Sequence, residues 1–123
     1  MESPLAETTT YHGGCHCGRV RYEVQCDLSM VADCNCSICT MRGALWAFTK
    51  KLQFKLLQGA DALTDYQFGK KKLHHLFCQS CGIGSFAEGV APNGDETVAI
   101  NVNCLDGIDP ASLKTTPFDG RKL

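Results

Sequence analysis

Three thiols stand within six residues, at Cys34-Asn35-Cys36-Ser37-Ile38-Cys39. Upstream lies Cys15-His16-Cys17, and downstream lies Cys78-Gln79-Ser80-Cys81. The order is therefore C-x-C, then C-x-C-x-x-C, then C-x-x-C. Close thiolate pairs are soft ligands that suit zinc, and the spacing divides them into one closed and one open metal site.

The closed site joins the two outer pairs. Residues two apart in extended backbone face the same side, so Cys15 and Cys17 can reach one ion. Cys78 and Cys81 flank a tight turn that Gly82 relieves. Four thiolates complete the tetrahedron of a structural zinc. The competing readings are unligated core cysteines and a redox dithiol, and the latter expects a βαβ context that the chain lacks.

The open site is Cys34, Cys36 and Cys39. These three sulfurs converge within one loop, and no fourth ligand stands nearby in sequence. Three protein ligands with a free position is the arrangement of catalytic zinc. An exogenous thiol entering that position would be held as a thiolate. Two blander readings compete: three free thiols, or a second structural zinc closed by a distant residue. Cys26, Cys104, His16, His74 and His75 are the candidates for that closure.

Short strands must position these sulfurs. Arg19 to Val24 alternates charged and apolar side chains, as a half-buried strand does. A strand begins near Tyr11, with Gly13, Gly14 and Gly18 supplying backbone freedom around the sulfurs. Met30-Val31-Ala32 feeds the central cysteines, and Ser37 to Met41 forms one helical turn after them. Ala44 to Phe48 is apolar throughout and reads as a buried strand, and Phe54 to Leu57 follows, stopped by Gly59. Leu63 to Phe68 and Leu73 to Phe77 form a hairpin around Gly69 and the lysines. Ser85 to Glu88 and Thr97 to Val102 are further strands, separated by a turn at Pro92-Asn93-Gly94-Asp95. Asp109-Pro110-Ala111 opens a single helical turn, and residues 116–120 read as a loop. No helical periodicity runs to ten residues, so the class is all-β.

Composition narrows the rest. The 123 residues suit one domain, 1–123, with nine cysteines and a net charge of -1. Lys70-Lys71-Lys72 reads as a solvated hairpin tip, and a nucleic-acid binder shows a broader basic face. No stretch approaches the apolar length of a membrane span, and the first residues lack a secretory pattern. The expected setting is the cytoplasm, where thiols stay reduced and dense cysteines bind metal.

These motifs resemble the family of the glutathione-dependent formaldehyde-activating enzyme, which also includes centromere protein V. The resemblance rests on Gly14-Cys15-His16-Cys17-Gly18, the Cys34 to Cys39 run, Gly43-Ala44 and Phe77-Cys78-Gln79-Ser80-Cys81-Gly82, and covers about residues 13–113. It implies a β-tent of short packed antiparallel sheets. It implies two zinc ions per chain, a structural one on Cys15, Cys17, Cys78 and Cys81 and a catalytic one on Cys34, Cys36 and Cys39. It also implies carbon–sulfur lyase chemistry, the condensation of glutathione with formaldehyde to S-hydroxymethylglutathione. Arg42, Lys50 and Lys51 are candidates to grip the glutathione carboxylates because they are basic and follow the open site. A non-catalytic zinc module that binds a protein, with both metals structural, is the alternative.

Overall fold

The computed structural model describes residues 9–68, 71–91 and 93–119. Residues 1–8, Gly69 and Lys70 of the hairpin turn, Pro92 of the expected turn and residues 120–123 lie outside the described residues.

The described residues form ten strands and one short α-helix, besides a few 3-10 turns, in the order β1 (Thr9–Gly14), β2 (Arg21–Cys26), β3 (Val31–Cys34), α1 (Ser37–Arg42), β4 (Trp46–Lys50), β5 (Phe54–Gln58), β6 (Leu63–Tyr66), β7 (Leu73–Cys78), β8 (Phe86–Val90), β9 (Glu96–Asn101) and β10 (Thr115–Phe118). They form a three-stranded sheet, β1-β2-β5, and a seven-stranded sheet, β10-β3-β4-β9-β8-β7-β6. The all-β expectation holds.

Period-two alternation builds the core between the sheets. Along β2, Tyr22, Val24 and Cys26 turn inward while their neighbours face out. Along β9, Val98 and Ile100 do the same from the opposite sheet. Tyr22, Phe54 and Phe86 meet with ring centroids 4.7 to 5.8 Å apart. The buried Tyr22 hydroxyl donates to Ser85 O at 3.3 Å, so its polar end is satisfied. One buried cluster joins residues of both sheets.

Three expectations need correction. Residues 115–118 are not a loop: β10 pairs in parallel with β3, Thr115 opposite Val31 and Phe118 opposite Cys34. Pro117 does not forbid this, because β10 is an edge strand and an edge can forgo donors. The sheets are thus antiparallel except for this one pairing among the described residues. Second, β4 is not a fully buried strand: Phe48 is 54% exposed while Trp46, Ala47 and Thr49 are buried. Third, Gly14 does not sit at a positive φ. A β-carbon there would lie 1.9 Å from Val20 O, so close approach of the hairpin requires glycine. Beside the outer cysteines, Gly18 and Gly82 do take left-handed backbone, at φ 85° and 80°.

Candidate metal centres

The two outer cysteine pairs meet where the β1–β2 connection approaches the end of β7. Cys15 follows β1 directly, and Cys17 lies in the turn before β2. Cys78 ends β7, and a tight turn closed by Gly82 N to Cys78 O at 2.8 Å brings Cys81 beside it. Cys15 Sγ and Cys17 Sγ are 3.6 Å apart, as are Cys17 Sγ and Cys78 Sγ. Sulfurs at the corners of a tetrahedron with 2.3 Å zinc bonds stand about 3.8 Å apart, so the donor set fits that ion. None of these thiols is in a disulfide.

Backbone amides already point at the sulfurs. Val20 N donates to Cys15 Sγ and Ser80 N to Cys78 Sγ, each at 3.3 Å. The Ile83 amide brings the Cys81 thiol down to about 6, and the Cys81 amide lowers Cys78. Donors fixed in this way favour the thiolate, the form that ligates metal.

The inner cluster is local. Cys34 ends β3, Cys36 stands just before α1, and Cys39 lies one turn into it. The helix ends at Gly43, whose φ of 66° lets its N–H reach Cys39 O at 2.9 Å. The three sulfurs lie within 4.8 Å of one another. Burial works against ionisation of Cys36, but the amides of Cys39 and Ile38 outweigh it and its thiol is lowered. Cys39 is pushed up to about 12 by burial and by its thiol neighbour Cys36.

Two supports of this cluster escaped the sequence reading. Trp46 Nε1 donates to Cys39 Sγ at 3.1 Å, and the indole packs under α1 with Ala44 and Ala87. The strand β10 braces the loop: Asn35 N donates to Phe118 O at 3.1 Å and Asn35 Nδ2 to Asp119 Oδ1 at 3.0 Å. An indole N–H seven residues beyond a cysteine carries no sequence signal, because β4 must fold back before the two meet.

No fourth Cys, His, Asp or Glu joins Cys34, Cys36 and Cys39 among the described residues. The distant candidates lie elsewhere. Cys26 is in the main core, and Cys104 O faces Gly13. His16 lines a cavity beside Cys15, and His74 pairs with Asp65 at 2.6 Å. His75 is buried, with Phe68 stacked on its ring. Of the three basic candidates, Lys51 pairs with Glu88 and Glu96 at 3.6 and 3.9 Å, and Lys50 lines a different cavity with Asp27 and Asp95.

Each cluster could hold a metal ion, and zinc fits both donor sets. Among the described residues no helix is long and apolar enough to cross a membrane. The fold is similar to that of a Rhodobacter sphaeroides protein of known crystal structure, with a TM-score of 0.77 and 35% identity over 86% of this chain and 97% of that one. The sequence profile of the family described as glutathione-dependent formaldehyde-activating enzyme matches residues 10–117. The paired cysteines, the all-β sheets around them and this match over most of the length agree, and the chain belongs to that family.

Proposed function

We propose that residues 1–123 form one zinc-binding domain that catalyses carbon–sulfur bond formation between a small thiol and an aldehyde, glutathione and formaldehyde being the pair. The product is S-hydroxymethylglutathione, and the reaction class is that of a carbon–sulfur lyase. The observation that carries this is the inner cluster: three convergent thiols with no fourth side-chain ligand among the described residues.

Cys34, Cys36 and Cys39 would hold one zinc, and Cys15, Cys17, Cys78 and Cys81 a second, structural one. Zinc held at the inner cluster would supply Lewis acidity and would favour the thiolate form of an entering thiol. The chain's own residues do the positioning. Trp46 fixes the orientation of Cys39, Gly43 ends the helix under it, and Asn35 ties the loop to β10. In the reaction the sulfur forms a bond to the aldehyde carbon, the carbonyl π bond breaks, and the proton once on the thiol ends on the oxygen. The proposed setting is the cytoplasm.

The test is NMR exchange spectroscopy of formaldehyde with its glutathione hemithioacetal. The zinc-loaded protein should speed that exchange, and Cys36→Ser should return it to the uncatalysed rate. X-ray absorption on the zinc should show one further sulfur when glutathione is added. Zinc that already shows only protein ligands and ignores every thiol tried would leave the non-catalytic module as the better reading.

A further inference from the structure

Arg42 is the last residue of α1, one turn beyond Cys39. Its guanidinium rests against Gly84, where a β-carbon would lie 2.6 Å from Nη1 and 3.2 Å from Cζ. Gly84 is not among the positive-φ glycines, so what its missing side chain provides is room. Asn101 Nδ2 donates to Gly84 O at 3.1 Å, and Asn103 Nδ2 donates to Gly43 O at 3.2 Å. One asparagine therefore holds the floor beneath the guanidinium, and the other holds the helix cap behind it.

This seat belongs to a cavity of about 590 Å³ that Arg42 lines with Arg21, Asn103, His16 and the Gly82–Gly84 backbone. The two arginines differ. Arg21 donates to Asp106 through both Nη1 and Nη2. Arg42 has no carboxylate partner among the described residues. A guanidinium in a built seat without an acid matches a planar oxyanion, which it can hold through two parallel hydrogen bonds.

The position of the seat says which oxyanion. Cys39 and Arg42 are three apart on one helix, so their side chains share a face with β-carbons about 5–6 Å apart. A molecule with sulfur at the inner cluster and a carboxylate further along its body can span both. Charge favours the same arrangement. Three thiolates on a divalent ion already carry a net -1, so a fixed cation nearby favours the entry of a fourth anionic sulfur.

We propose that this cavity receives a carboxylate of the thiol substrate and that Arg42 is the specificity-determining residue. The sulfur end of this assignment rests on the function proposed above, and the carboxylate end does not.

The test uses the zinc-loaded full chain and three probes followed by NMR titration: glutathione, its diethyl ester, and S-methylglutathione. Glutathione should bind about tenfold or more tightly than the ester, and Arg42→Gln should bring that ratio to within about twofold of one. Arg42→Lys should keep part of the preference, since it restores charge but not the planar fork. Gly84→Ala, which pushes a methyl into the seat, should lower the ratio in a chain that circular dichroism shows to be folded. A ratio that Arg42→Gln leaves unchanged, or equal weakening of acid and ester, overturns the proposal.

S-methylglutathione keeps both carboxylates and has no thiol to ionise, so it reads the cavity alone. Its binding, followed at the Gly84 and Asn103 amides, should weaken in Arg42→Gln. If glutathione adds no sulfur to the zinc while S-methylglutathione still depends on Arg42, the proposed function fails and the carboxylate site stands. If the sulfur is added and Arg42 is indifferent to all three probes, the carboxylate site fails alone.

Discussion

The two cysteine clusters differ first in how much chain each one gathers. The outer cluster joins Cys17 to Cys78, 61 residues apart, and so ties the first hairpin to the end of β7. The inner cluster lies within six residues, on one loop and one turn of helix. A cross-link between distant segments removes far more freedom from the unfolded chain than one inside a loop. Support differs as well. The outer sulfurs are met by backbone amides of their own turns, whereas Cys39 is met by an indole from β4. The clusters therefore differ as staples in span as well as in number, four thiols against three. On the proposed reading, the distant cluster holds the fold and the local one exchanges a ligand without undoing the sheets.

The largest effect should come from the outer cluster. Structural zinc contributes about 10–16 kcal/mol of binding free energy. Whole domains are stable by about 5–15 kcal/mol. Cys78→Ser, or chelation of both metals, should therefore unfold the chain, as read by loss of the strand signal in circular dichroism. Zinc-free protein that keeps that signal would erase the contrast.

Cys36→Ser should release one zinc equivalent and leave the strand signal near wild type, with a melting temperature within about 5 °C. Trp46 is the chain's single tryptophan and touches Cys39, so intrinsic fluorescence should report this loss directly. Unfolding as complete as in Cys78→Ser would make the inner cluster structural too.

Trp46→Phe sharpens the contrast within the inner cluster. It removes the N–H donated to Cys39 Sγ while keeping most of the packing. Zinc affinity at that cluster should fall about tenfold or more, as for other groups that orient a ligand. The outer zinc should be retained, which competition with a colorimetric chelator resolves.

The smallest effect is acid sensitivity on the inner-cluster side of the large sheet. His75 pairs in register with Ala87, which packs against Cys39 and Trp46. Burial, aided by the Arg42 charge, holds the His75 pKa below its ordinary 6.5. The unfolded chain then binds that proton more readily than the folded one. This contribution to stability is full above pH 6.5 and is lost as pH falls below it, by at most about 1.4 kcal/mol per pH unit for one proton. His75→Leu should flatten that slope in denaturant melts with zinc in excess. A slope that persists in His75→Leu would assign the acid sensitivity to other groups.

Much of this was legible before folding because it is local. The spacing of the seven clustered cysteines, the alternation in β2 and β9, the hairpin of β6 with β7 and the Asp109 cap of Pro110–Ser112 each depend on residues close in sequence. The exposure of Phe48 was not legible, since a short apolar run reads the same whether one or both faces are covered.

The sequence by itself determined the cysteine clusters, their grouping and the all-β class, because thiol spacing and period-two patterning are written within a few residues. Only the tertiary structure decided which distant groups complete the sites. The parallel strand β10 beside Cys34, the Trp46 N–H on Cys39, and the seat of Arg42 over Gly84 all join segments with no local pattern in common. Such contacts arise from how the sheets close around their shared core. A single chain read in order carries their parts but not their distances.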